Sequence, residues 1–68
     1  MNEDLFNLQV RKFLKNVGVT SQREIENAIR SALDSGQITE KSIIKANIRL
    51  TIDDLDLAKD IDGTIQLS

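Results

Sequence analysis

The sequence contains no cysteine, histidine, proline, tryptophan or tyrosine. Without cysteine the chain forms no disulfide, and without cysteine or histidine it lacks the side chains that hold zinc or copper. Histidine is also the usual base beside a catalytic nucleophile. We expect the 68 residues to form a single small domain, 1–68, with little room for a substrate cleft. We therefore predict a non-enzymatic protein without a cofactor or metal.

Long hydrophobic runs are also missing. No stretch approaches the ~18 consecutive apolar residues that span a bilayer. The first residues, Met1 to Asp4, are acidic where a secretion signal is basic, and no apolar signal segment follows. These features predict a cytoplasmic protein that makes no membrane contact.

Two amphipathic helices are predicted in the first half of the chain. Apolar residues recur at helical spacing over residues 3–17, after Asn2 as N-cap, and again after a capping box formed by Ser21 and Glu24. Gly18 is predicted to end the first helix in the left-handed conformation, and Gly36 is predicted to terminate the second. Because few residues separate the two helices, we expect a helical hairpin.

The apolar spacing then changes from helical to alternating. Residues 44–52 predict a strand with one apolar face, Asp53-Asp54 a two-residue turn, and the residues after it a return strand that pairs Leu57 with Leu50. In that register Lys59 lies on the apolar face opposite Ile48. Asp62-Gly63 is itself a hairpin signal, so a short third strand is the alternative to one long strand bent or bulged at Gly63.

These elements predict an α+β fold in the order α-α-β-β. The helix hairpin would pack on one face of a twisted antiparallel β-hairpin, leaving the charged face in water. The expected core consists of large apolar residues from all four elements: Phe6, Val10, Phe13, Leu14, Val17, Ile25, Ile29, Leu33, Ile48, Leu50, Leu57 and Ile61.

Two segments resemble binding motifs. Residues 60–65 match the middle of an EF-hand loop, but the first and last ligands and the flanking helix are missing. The turn at Gly18–Ser21 between two helices suggests a helix-turn-helix nucleic-acid-binding protein, our alternative function. Residues 1–34 carry five basic and five acidic side chains, so they lack the basic surface of that class.

The most specific sequence pattern lies in residues 2–26. It comprises Asn2-Glu3-Asp4, Phe6-Asn7, the basic segment Arg11–Lys15 and Val17-Gly18-Val19-Thr20-Ser21-Gln22-Arg23-Glu24-Ile25-Glu26. On these residues, and more loosely on Thr51-Ile52-Asp53 and Ile61-Asp62-Gly63, the chain resembles a family of short bacterial proteins of unknown function. In that family glycine is expected after Asp53, where this chain has Asp54. The resemblance implies no activity, ligand or functional residue.

The first predicted helix also carries apolar residues outside its stripe. Leu5 lies on the shoulder of the stripe and Leu8 on the far side, flanked by Lys12 and Lys15. A domain of this size without disulfides or metal commonly obtains its stability by association, and a two-stranded sheet leaves its edges open. We therefore predict a protein–protein interaction module, either a homodimer or bound to another protein, with Leu5, Leu8, Lys12 and Lys15 as its partner surface.

Overall fold

A computed structural model describes residues 1–68. The chain forms one long helix, α1 (Glu3–Ser35), followed by the strands β1 (Ile43–Ile52) and β2 (Leu57–Gln66), with a 3₁₀ turn at Asp53–Leu55 between the strands. It divides into two compact units, Met1–Gln37 and Ile38–Ser68. The α+β class is confirmed, whereas the predicted helix hairpin is wrong.

Both ends of α1 are capped by the residues that the sequence indicated. Asn2 is the N-cap, and its side-chain oxygen accepts a hydrogen bond from the Leu5 amide at 3.1 Å. Gly36 adopts the left-handed conformation with φ of 78° at the other end, where its amide and the Gln37 amide donate to carbonyls of the last turn. These bonds satisfy backbone groups that a helix otherwise leaves unpaired.

The helix continues through the segment predicted as a turn. Gly18 keeps a negative φ, and Ser21 lies inside the helix instead of capping a new one. Glycine in a helix costs about 1 kcal/mol relative to alanine, and no proline removes a backbone donor here. An uninterrupted series of backbone hydrogen bonds thus outweighs the stop signal predicted at Gly18, and the 33 residues of α1 extend for about 50 Å.

The two strands form an antiparallel sheet whose register differs from the predicted one. Ile52 faces Leu57 and Ile43 faces Gln66, because the connection has four residues instead of two. Asp56 closes this connection in the left-handed conformation, with φ of 51°, and its amide donates to the Asp53 carbonyl at 3.2 Å. The shift by two residues preserves which side chains share a face.

The second strand is continuous to Gln66. Gly63 faces Ala46 in an unbroken register, so the strand has no bulge there and the third strand does not form. Lys59 lies on the apolar face, as predicted, but opposite Leu50 instead of Ile48.

No side chain of the chain is buried. The predicted core is therefore wrong as a description of the single chain, although many of its members lie on the expected faces. Several of its large side chains are classed as exposed: Phe6, Val10, Phe13, Leu14, Ile48, Leu57 and Ile61.

Candidate functional site

The most apolar exposed surface lies on the first half of α1. Phe6, Val10, Phe13, Leu14 and Val17 follow one another at helical spacing and form a line along the helix, here called the apolar stripe. All but Val17 are at least 40% exposed, and Phe13 reaches 57%. The spacing that predicted a core-facing side thus describes an uncovered surface.

A second line of residues runs along the same half of the helix. Leu5, Leu8, Lys12 and Lys15, the predicted partner surface, follow at steps of three, four and three, so the continuous helix brings all four onto one side. We call this line the leucine–lysine row. Leu5 and Leu8 are exposed, and the two lysines border a shallow groove with Phe13 and Val19.

The two lines together place large apolar side chains on two sides of the first half of α1. A surface helix normally has one apolar side, and a helix that is apolar on several sides is normally buried. The spacing of the sequence predicts the stripe as core and only the row as a partner surface. The sequence signal for a larger exposed surface is the presence of both lines on one helical segment.

The second half of α1 differs in exposure. Ile25, Ile29, Ala32 and Leu33 are half-buried. The Glu26 carboxylate interacts with side chains one turn away on either side. It accepts a hydrogen bond from the Gln22 amide at 3.1 Å and forms an ion pair with the Arg30 guanidinium at 3.6 Å. This part of the helix presents fewer large exposed apolar side chains.

The polar face of the sheet is internally paired. Arg49 faces Asp60 with a 3.8 Å ion pair, and the Asn47 side chain donates to Asp62 at 2.8 Å. The acidic residues of the EF-hand-like segment are thus spaced along a strand instead of around a loop, where they would converge on one ion. No group of three or more acidic side chains is placed to hold a metal ion.

The opposite face of the sheet is apolar, and its side chains differ in exposure along the strands. Ile48 faces Ile61 and Ile52 faces Leu57, and these four side chains are 38–53% exposed. Ile44 and Ile65, which pair further from the turn, are half-buried. The single charge on this face is that of Lys59.

The helix-turn-helix geometry is absent, because Gly18–Ser21 lies within one helix. A recognition helix needs a preceding helix that crosses the nucleic-acid backbone at an angle, and a continuous helix offers no such arrangement. α1 is also not apolar enough along its length to cross a membrane.

No curated protein and no solved structure is significantly similar to the chain. The family comparison gives a match over residues 1–68, to the family of unknown function DUF6494. The chain therefore belongs to DUF6494, a family of unknown function.

Proposed function

We propose that this protein is a non-enzymatic interaction module that acts as a homodimer through the first half of α1. The observation that carries the proposal is the exposure of seven large apolar side chains within residues 5–19, each between 40 and 57% accessible. Isolated exposed apolar residues are common on protein surfaces. Seven exposed large apolar side chains on one helical segment are more than such isolated residues, and a cluster of this kind is typical of an interaction site.

The available side chains support a non-enzymatic role. The chain has no histidine or cysteine, and Asp60 and Asp62 pair with Arg49 and Asn47 on an open strand face. Paired carboxylates act as acid and base when a cleft shifts their proton affinities and holds a substrate between them. An exposed, internally paired strand face provides neither condition.

The dimer is tested by sedimentation of the full chain over a ~100-fold range of concentration, together with thermal unfolding at both ends of that range. We expect a particle of twice the 7.6 kDa chain mass and a melting temperature that rises with concentration. A 7.6 kDa particle at every concentration, with a constant melting temperature, would refute the homodimer.

A further inference from the structure

We infer that two copies of this chain pair through their apolar stripes, with the two α1 helices antiparallel and Phe6 of each chain against Val17 of the other. The inference rests on the proposed homodimer and specifies the surface and the orientation. The leucine–lysine row would then lie on the outside of the pair.

The spacing of the stripe fits a helix–helix seam. Phe6, Val10, Phe13 and Val17 follow at steps of four, three and four, which is the alternation of core positions in a coiled coil. The pattern stops on each side of this segment, because the next positions, Glu3 and Thr20, carry polar side chains. The seam therefore has four layers and is confined to the uncovered half of α1.

The sizes of the side chains favour the antiparallel orientation. In that orientation Phe6 lies against Val17 and Val10 against Phe13, so each of the four layers contains one phenylalanine and one valine. A parallel pair would alternate layers of two phenylalanines with layers of two valines. Cores pack best when large and small side chains face each other, because crowded and loose layers both cost stability.

The charges also favour this orientation. The positions that flank the seam carry Asn7, Gln9, Leu14 and Asn16, so no flanking charge opposes a like charge. Gln9 of one chain would lie beside Asn16 of the other, within reach of a side-chain hydrogen bond. Glu3 and Asp4 of the two chains would be held more than ~20 Å apart along the axis, whereas a parallel pair would place them side by side.

The area of the seam is sufficient for a specific dimer. The two phenylalanines, Val10 and Leu14 are 40–57% exposed in the single chain, Val17 is half-buried, and the flanking amides are exposed. Covering them removes roughly 600 Å² per chain, or about 1,200 Å² in total, which reaches the lower limit of stable interfaces.

A membrane surface is the competing occupant of such a helix. Amphipathic helices that bind lipid use apolar area together with attraction between basic residues and anionic headgroups. Here the chain has a net charge of −2, and Glu3 and Asp4 offset two of the three basic residues of the segment. The charge therefore favours a second copy over an anionic bilayer.

The surface is tested with two matched variants, Phe13→Glu in the stripe and Leu8→Glu in the leucine–lysine row, whose original side chains are 57 and 56% exposed. We expect Phe13→Glu to raise the dissociation constant at least ~100-fold, because two carboxylates enter the seam. Leu8→Glu should change it less than ~3-fold. Sedimentation measures both values, and circular dichroism verifies that each variant keeps its helix.

The orientation is tested without touching the seam. The chain lacks cysteine, so nitroxide spin labels can be attached to single cysteines in Leu5→Cys, Lys12→Cys and Val19→Cys, which lie seven residues apart on the outer side. In an antiparallel dimer the two labels are separated along the axis by ~20 Å at position 5, ~2 Å at position 12 and ~22 Å at position 19. Pulsed electron resonance should therefore give the shortest label–label distance at position 12.

The outcomes separate this inference from the proposed dimer. Equal label distances at all three positions, or a dimer that Leu8→Glu disrupts and Phe13→Glu does not, would refute the antiparallel stripe and leave the homodimer in place. A monomeric wild-type chain would refute both. Binding of that monomer to phosphatidylglycerol vesicles, abolished by Phe13→Glu, would assign the stripe to a membrane surface.

Discussion

The two halves of α1 share an apolar periodicity but differ in exposure. In the first half, Phe6, Val10, Phe13 and Leu14 are 40–57% accessible. In the second half, Ile25, Ile29, Ala32 and Leu33 are half-buried. A single continuous helix thus contains one segment whose apolar side chains are half-buried and one in which most of them are exposed.

The difference teaches what helical spacing does and does not specify. Spacing identifies the side of a helix that avoids water, but it does not identify the molecule that covers that side. The composition adds the missing information. The first half carries two phenylalanines in its stripe and two leucines outside it. The second half carries alanines, Ala28 and Ala32, on its apolar side. Large side chains on several sides indicate cover from outside the chain.

The largest expected effect is that of Phe13→Ala. If a second chain completes the burial of Phe13, the truncation should lower the free energy of unfolding of the dimer by about 3–5 kcal/mol per chain. Chemical denaturation at two protein concentrations ~100-fold apart measures the loss, which should be large at the high concentration and small at the low one.

Dependence on concentration is the decisive feature of that experiment. In the isolated chain Phe13 is 57% exposed, so its removal opens little cavity. An equal loss at both concentrations would show that Phe13 is buried within the chain, and the contrast between the two halves would then disappear.

The local structure could be predicted where short-range signals were sufficient. Asn2 and Gly36 were correctly assigned as caps, because their roles depend on a few neighbouring backbone groups. The alternation of apolar and polar residues over 44–52 correctly predicts β1 and which side chains share each of its faces. The observed register differs from the predicted one because a turn of Asp53-Asp54 alone is too short: Asp56 adopts the left-handed conformation that closes a four-residue connection.

The errors have a common physical cause. The pattern around Gly18 is compatible both with a turn and with a helix that tolerates one glycine. The cost of a glycine in a helix, relative to alanine, is only about 1 kcal/mol. The predicted core assumed that one chain covers all of its own apolar faces. Helical spacing does not say which molecule covers an apolar face. It therefore predicts Leu5, Leu8, Lys12 and Lys15 as a partner surface and the larger apolar stripe as interior.

A smaller effect is expected for Ile29→Ala in the second half of α1. Ile29 is half-buried within the chain, so its truncation should cost about 1–2 kcal/mol, roughly half the value for a fully buried position. The loss should be the same at both protein concentrations, measured by the same denaturation experiment. Ser31→Ala, on an exposed position of the same turn, should change the stability by less than ~0.5 kcal/mol. A loss for Ile29→Ala that grows with concentration would extend the dimer contact into the second half.

The smallest expected effect has the opposite sign and concerns Gly18, which joins the two halves. Gly18 has a negative φ, and a Cβ added there meets no atom within 4 Å. Gly18→Ala should therefore raise the free energy of unfolding by about 0.4–1 kcal/mol, because alanine loses less backbone entropy when the helix forms. Urea denaturation at one protein concentration measures the change.

Gly36→Ala is the matched control for this substitution, because Gly36 has φ of 78°. Alanine in the left-handed conformation costs about 1–2 kcal/mol, so the two glycine variants should change the stability in opposite directions. If Gly18→Ala instead loses as much stability as Gly36→Ala, Gly18 ends a helix, and the apolar stripe belongs to a separate helix that could fold back within its own chain. A gain for Gly18→Ala means that Gly18 lies inside one continuous helix and that the apolar stripe continues along α1.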